Sequence, residues 1–215
     1  LNNRGNVLKE QNQLHKALVD YNQAIAIHPD YIDALNNRGV VYQKLRQFSE
    51  ALEDFGKVLS LNPNDLETIN NRGVVHKELG LYDEALADYD KAISLNPKYA
   101  EGHNNRGIAL KELGRFDESL EAYNQAILLK PEYAEPYFNK SLQMLLLGDF
   151  KAGWPLYEWR WKTKQNTGTK IETSKPTWQG EAGKNVFLWA EQGIGDQIMY
   201  SSMIPELEKL CENLI

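Results

Sequence analysis

The chain has 215 residues, 42% hydrophobic and 25% charged, with a formal net charge of −6. That acidic balance excludes a general nucleic-acid surface, which needs clustered Lys and Arg against phosphate. Cys211 is the single cysteine, which excludes an internal disulfide, and no run of about 18 apolar residues is present to span a membrane. The opening Leu1-Asn2-Asn3-Arg4-Gly5 lacks the features of a secretory leader, so a cytoplasmic location is expected.

In chain order, the string Asn-Asn-Arg-Gly occurs at Asn2–Gly5, Asn36–Gly39, Asn70–Gly73 and Asn104–Gly107, each 34 residues after the last. Pro29, Pro63, Pro97 and Pro131 keep the same step, as do Tyr21, Phe55, Tyr89, Tyr123 and Tyr157. A strict period of this kind marks a stack of repeated units whose core runs continuously between neighbours. The first residues enter the repeat partway through, so the chain is expected to begin inside a longer array.

Ile32 to Asp65 serves as the type unit, with Ile32 as position 1. Leu35, Gly39, Tyr42 and Leu45 fall on one stripe of a first helix; Phe48, Ala51, Leu52, Phe55 and Leu59 fall on one stripe of a second. Arg46-Gln47 make the turn between them. Gly80 and Gly114 occupy the place of Arg46 in the next two units, where glycine suits a helix C-terminus. Asn62-Pro63 closes the second helix, because proline disfavours helical geometry in the residue before it. Each unit is therefore an antiparallel helix pair with small residues, Gly39 and Ala51, at the close approach.

The spacing Gly39, Tyr42, Ala51, Phe55, Val58, Pro63, repeated as Gly73, His76, Ala85, Tyr89, Ala92, Pro97, resembles the tetratricopeptide signature. The unit from Gly107 departs by Leu110 and Ser119. A fifth unit, from Ala134, has Ser141 for the first glycine and Gly153 for the alanine but keeps Gly148, Phe150 and Tyr157. The resemblance covers residues 1–163 as five units, the first truncated and the fifth degenerate. It implies an all-α, right-handed superhelical solenoid that binds a protein or peptide in its concave groove.

Asn3, Asn37, Asn71, Asn105 and Asn139 all stand at position 6, so every unit has one. In this family the face carrying positions 2, 6, 9 and 13 lines the groove. A carboxamide carries a donor and an acceptor, which matches the peptide group of an extended chain whatever its side chains. The row resembles the asparagine ladder of the O-linked N-acetylglucosamine transferases, which implies grip on a polypeptide backbone. The competing expectation is that these asparagines cap or bridge neighbouring helices. The companion series Asn2, Asn36, Asn70, Asn104 stops at Phe138.

Arg4, Arg38, Arg72 and Arg106 precede the glycines and face a second helix where Asp20, Asp54 and Asp88 recur, so ion pairs are expected; a basic strip for an anionic ligand is the rival. Asp33, Glu67, Glu101 and Glu135 at position 2 oppose that rival and favour an extended ligand with some basic residues. His15, His28, His76 and His103 have no metal spacing, so no metal or cofactor is expected.

From Gly148 the composition changes, and four of the five tryptophans lie between Trp154 and Trp178. They suit packing against a following domain or, alternatively, a ligand platform. Residues 164–184 read as a linker. Asn185 to Ala190 reads as a buried strand, followed by Glu191-Gln192-Gly193-Ile194-Gly195-Asp196 and a helix from about Gln197, a strand-turn-helix opening of an α/β domain. Together with Trp178-x-Gly180 it resembles the start of the heptosyltransferase-like glycosyltransferase domain that follows tetratricopeptide repeats in many bacterial proteins. That resemblance implies Asp196 as a candidate general base; a helix N-cap is the competing role. Residues 185–215 would be only the first part of a Rossmann-like half, so no activity is expected of this chain alone. The protein would then be the substrate-recruiting part of a glycosyltransferase. Self-association through the solenoid ends or the C-terminal remnant is a third route to partners.

Overall fold

The computed structural model describes residues 1–163 in full and the backbone of residues 184–186 and 211–214. Among the described residues ten α-helices pair in sequence: α1 (Asn2–Glu10) with α2 (Leu14–Ile27), α3 (Ile32–Lys44) with α4 (Phe48–Leu61), α5 (Leu66–Glu78) with α6 (Tyr82–Leu95), α7 (Ala100–Glu112) with α8 (Phe116–Leu129), and α9 (Ala134–Leu146) with α10 (Phe150–Tyr157).

The turn chemistry repeats in all five. Position 15 takes a left-handed backbone at Asn12, Arg46, Gly80, Gly114 and Gly148. Each turn closes with the same two bonds, as where Gln47 N–H donates to the Tyr42 carbonyl and Arg46 N–H to that of Gln43. This is the double bond of a glycine-type helix stop, and it satisfies carbonyls that the helix leaves over. At the other end of each unit the residue before proline is extended: His28, Asn62, Asn96 and Lys130 have φ of −131°, −134°, −140° and −144°. Proline forbids helix there, and α2, α4, α6 and α8 stop one residue earlier.

Within a unit, the helices meet where glycine faces an aromatic ring. A Cβ added to Gly39 would lie 2.6 Å from Phe55 Cε1; Gly5 and Gly107 stand as close to Tyr21 and Tyr123, and Gly73 stands 2.8 Å from Tyr89. Those four rings are wholly buried. Unit five moves the small residue instead. Ser141 stands at position 8, and a Cβ on Gly153 would lie 2.7 Å from Leu145 Cδ2. Its Tyr157 packs on Phe138 and edge-on to Trp154, while Tyr137 stacks on Trp159 at 3.9 Å.

Between units, position 10 of one first helix enters the preceding pair. Val41 joins the buried cluster of Ala17 and Tyr21, and Val75 that of Ala51 and Phe55. The fourth and fifth units are joined differently. Gln143, fully buried at position 10, accepts at 2.7 Å from Ser119 Oγ and donates at 2.7 Å to the Phe116 carbonyl. Ser119 replaces the usual alanine, so two departures from the repeat satisfy one another.

The chain divides into two units, Leu1–Trp159 and Arg160–Ile215. In the second, β1 (Lys184–Val186) pairs in parallel with β2 (Cys211–Leu214), with a register irregularity between Lys184 and Asn185. Two short strands are all that is seen of the expected strand-turn-helix. The strand residues after Val186, the turn with Asp196 and the helix from Gln197 lie outside the described residues.

Candidate functional site: a carboxamide strip on the first helices

Each first helix touches the first helix of the next unit, α1 to α3, α3 to α5, α5 to α7 and α7 to α9; the second helices are not joined to that extent. The first helices therefore form the more closely spaced layer, and their outward stripe runs unbroken from unit to unit.

On that stripe the two asparagines of the repeated string behave differently. The position-5 members are buried: Asn2 and Asn36 are 8% exposed, Asn70 9% and Asn104 3%. The position-6 members Asn37, Asn71, Asn105 and Asn139 are half-buried, and Asn3 is exposed. Each half-buried carboxamide donates back to the buried one of the preceding unit. Asn37 Nδ2 donates to Asn2 Oδ1 at 3.4 Å, Asn71 to Asn36 at 3.4 Å, Asn105 to Asn70 at 3.0 Å and Asn139 to Asn104 at 2.9 Å. Position 5 of unit five is Phe138, and among the described residues no bond of this kind reaches it.

The orientation of the carboxamides follows from partners that can play one role only. Asn36 Nδ2 donates to Glu67 Oε1 at 3.1 Å, and an ionised carboxylate only accepts. Asn36 Oδ1 must then face Thr68 Oγ1, at 3.1 Å, and Asn71 Nδ2. Asn71 is thereby turned with its own carbonyl away from the link. Asn37 is fixed by Lys9, which can only donate to its Oδ1, so Asn37 Nδ2 faces Asn2 Oδ1 and Asn2 turns its own Nδ2 to Tyr31 Oη at 3.3 Å. Among the described residues, the Oδ1 atoms of Asn71, Asn105 and Asn139 accept no hydrogen bond. Asn37 differs, because Lys9 Nζ donates to its Oδ1 at 2.7 Å. Burial lowers the Lys9 pKa, and the charge of Lys44 lowers it further against the pull of Glu67 and Glu10.

The arginine series is structural. Arg38 grips the buried Asp54 with Nε and Nη2, at 2.8 and 2.6 Å, and reaches Asn22 of the preceding unit with Nη1. Burial pushes the Asp54 carboxyl up, and Arg38 opposes that shift. Arg4 and Arg72 make the same fork to Asp20 and Asp88. Arg106 turns back to Asp90 at 2.7 Å, since Ala122 stands where its aspartate would be. The recurrent Asp-Arg spacing in the sequence anticipates the first three pairs. Two features were missed there. Lys9 carried no signal, but the link between the asparagine series did: position 5 ends one unit before position 6, as a bond reaching back one unit requires.

Burial raises the hydroxyl pKa of Tyr21, Tyr99 and Tyr123 to about 12 and raises those of Tyr89 and Tyr133 as well. No helix among the described residues is long and apolar enough to cross a membrane.

Helix pairs of 34 residues, each packed through a glycine-aromatic contact and closed by a proline, define a class of repeat scaffold, and comparison with known families names it. The pattern described as "TPR repeat" matches residues 5–45 and 77–114, and "Tetratricopeptide repeat" matches residues 32–65 and 100–133. These spans together cover more than half of the chain, which belongs to the tetratricopeptide-repeat family. A repeat protein from Parabacteroides merdae is similar in structure, with a TM-score of 0.68, 27% identity, and coverage of 77% of this chain and 65% of that one. MamA gives a TM-score of 0.63 at 21% identity, over 72% of this chain and 91% of its own. YrrB, described as a tetratricopeptide protein with an unusual peptide-binding site, gives 0.58 at 23%, over 74% and 81%. In sequence, 57 residues are 30% identical to protein FlbA of Caulobacter vibrioides, spanning 26% of this chain and only 10% of that protein.

Proposed function

We propose that this array binds an extended polypeptide along its first helices, through the position-6 asparagines whose carbonyls are open, Asn71, Asn105 and Asn139; Asn3 continues the row, and the Asn37 carbonyl is already taken by Lys9. The observation that carries this reading is the half-used carboxamide. One N–H of Asn71, Asn105 and Asn139 is spent on the preceding unit, which fixes the group, while the carbonyl has no partner among the described residues. A carbonyl held in place at each step of the repeat suits a ligand with regularly spaced N–H donors, as a peptide backbone has. Position 2 gives the array an acidic series, Asp33, Glu67, Glu101 and Glu135, which favours a ligand carrying some Lys or Arg, although Glu67 also holds Asn36 and Glu101 pairs with Lys130. The peptide-binding site named for the YrrB structure supports the same use of the fold, though the likeness itself speaks for architecture alone.

The test is fluorescence titration of a labelled 15-residue peptide of repeating Ser-Lys-Thr against the native protein and an Asn71→Ala/Asn105→Ala/Asn139→Ala variant. Three lost hydrogen bonds at about 1 kcal/mol each weaken binding by about 100-fold. Circular dichroism checks that the variant stays helical. Equal affinities for a folded variant overturn the reading.

A second reading has one observation in its favour. The parallel pairing of Lys184–Val186 with Cys211–Leu214 requires a crossover between the strands, as at the start of an α/β domain. On this reading the array recruits substrate for a glycosyltransferase domain, with Asp196 a candidate base. Reading the coding sequence past Ile215 tests it: further strand-helix repeats are expected, and their absence refutes it.

A further inference from the structure

The strip is not uniform along its length. Position 12 of unit one reaches position 6 of unit two, and the four position-12 residues that precede a further unit have different outcomes. Lys9 reaches Asn37 and occupies its carbonyl at 2.7 Å. Gln43, at the same place in unit two, makes no bond to Asn71. Lys77 and Lys111 precede Asn105 and Asn139, but each turns to its own neighbour: Lys77 Nζ lies 3.4 Å from Glu78 and Lys111 Nζ 2.9 Å from Glu112. Asn37 is thus the one position-6 residue, among those described, whose donor and acceptor are both engaged, by Asn2 and by Lys9.

We infer that Lys9 is a built-in stop on the binding strip. It closes the Asn37 rung and confines a bound backbone to the three open rungs at Asn71, Asn105 and Asn139, which makes Lys9 a specificity-determining residue. The inference rests on the peptide-binding reading above. The ammonium takes one of the two lone pairs of Asn37 Oδ1 and, at 2.7 Å, its bulk and charge stand where a peptide N–H would approach. A charge-assisted bond is also the stronger competitor for that carbonyl. Lys9 is half-buried at this spot, so breaking the contact does not simply return its ammonium to water.

The same Ser-Lys-Thr peptide serves as the probe, titrated against four single or double variants. Asn105→Ala removes an open rung and weakens binding by about fivefold, the scale of one neutral hydrogen bond. Asn37→Ala changes affinity by less than about twofold, because that rung is already closed. Lys9→Met keeps the apolar stem, frees the carbonyl and tightens binding by about fivefold. Combined as Lys9→Met/Asn37→Ala, the gain disappears, which separates an opened rung from the mere loss of a positive charge. A Lys9→Met gain that persists without Asn37 overturns the stop, and so does native-like binding by Lys9→Met. Native protein that fails to bind the peptide at all overturns the groove reading itself, so the two failures are distinct.

Discussion

Gly39→Ala and Gly56→Ala are the same chemical change in one helix pair, and the structure assigns them opposite signs. Both residues are helical, so alanine brings each about 1 kcal/mol of backbone preference. At Gly56 nothing lies within 4 Å of the added Cβ, and that gain stands alone. At Gly39 the Cβ would sit 2.6, 2.9 and 3.0 Å from three atoms of the Phe55 ring. Carbon atoms settle at about 3.5–4.0 Å, so the ring must retreat by about 1 Å. It has nowhere to go, being fully buried between Ala51 and Val75. Overpacking of this severity costs about 3 kcal/mol, leaving Gly39→Ala about 2 kcal/mol less stable than the native protein. The melting temperature should fall by about 4–8 °C for Gly39→Ala and rise by about 2–4 °C for Gly56→Ala. Urea unfolding followed by circular dichroism at fixed protein concentration provides a second reading of the same difference. Equal signs for the two substitutions would refute the glycine-aromatic account of the unit core.

Three further outcomes follow from the same geometry. Arg46 holds a left-handed backbone at φ 59°, where three other units have glycine, so Arg46→Gly should raise the urea midpoint by an amount equivalent to about 1 kcal/mol; a lower midpoint would show that Arg46 contributes more than its turn. Ser119→Ala should destabilise by about 1–3 kcal/mol, because the buried Gln143 Oε1 loses its donor, whereas adding Gln143→Val removes that orphaned acceptor and should recover part of the loss; additive losses would deny their coupling. The five tyrosines with raised hydroxyl pKa values make stability depend on alkaline pH. Their protons are retained in the folded state while the unfolded chain loses its own near pH 10, so their contribution is complete below pH 10 and declines as pH rises toward 12. Each contributes a slope of at most about 1.4 kcal/mol per pH unit, and a urea midpoint unchanged up to pH 11.5 would contradict the burial of these hydroxyls.

The helix pairs were legible because their punctuation is chemical. Pro63 and Pro97 admit no helix in the residue before them, and Gly80 and Gly114 fill a left-handed turn that few residues adopt. Gly39 and Phe55 announced a close approach by size alone. The asparagines were harder, since two neighbouring carboxamides have identical chemistry and differ only in the direction they face around the helix. Composition cannot tell which of them is buried. The reach of Lys9 to Asn37 was not legible at all, because Lys77 and Lys111 stand at the same place and turn elsewhere. Arg106 likewise found a new partner only because Ala122 removed the expected one. For Asp196 the question is unchanged, as it lies outside the described residues.

The backward-reaching carboxamide bond has a consequence for how such a gene changes length. Every link joins position 5 of one unit to position 6 of the next, so removing or duplicating a whole 34-residue module leaves each link with a matching end. Recombination among the first four modules therefore yields arrays that close without repair. The junction between the fourth and fifth is different, because the buried Gln143 there takes its donor from Ser119, and the first three units have alanine in that place. Lengthening is free on one side of that junction and blocked across it, so the fifth module travels with the fourth.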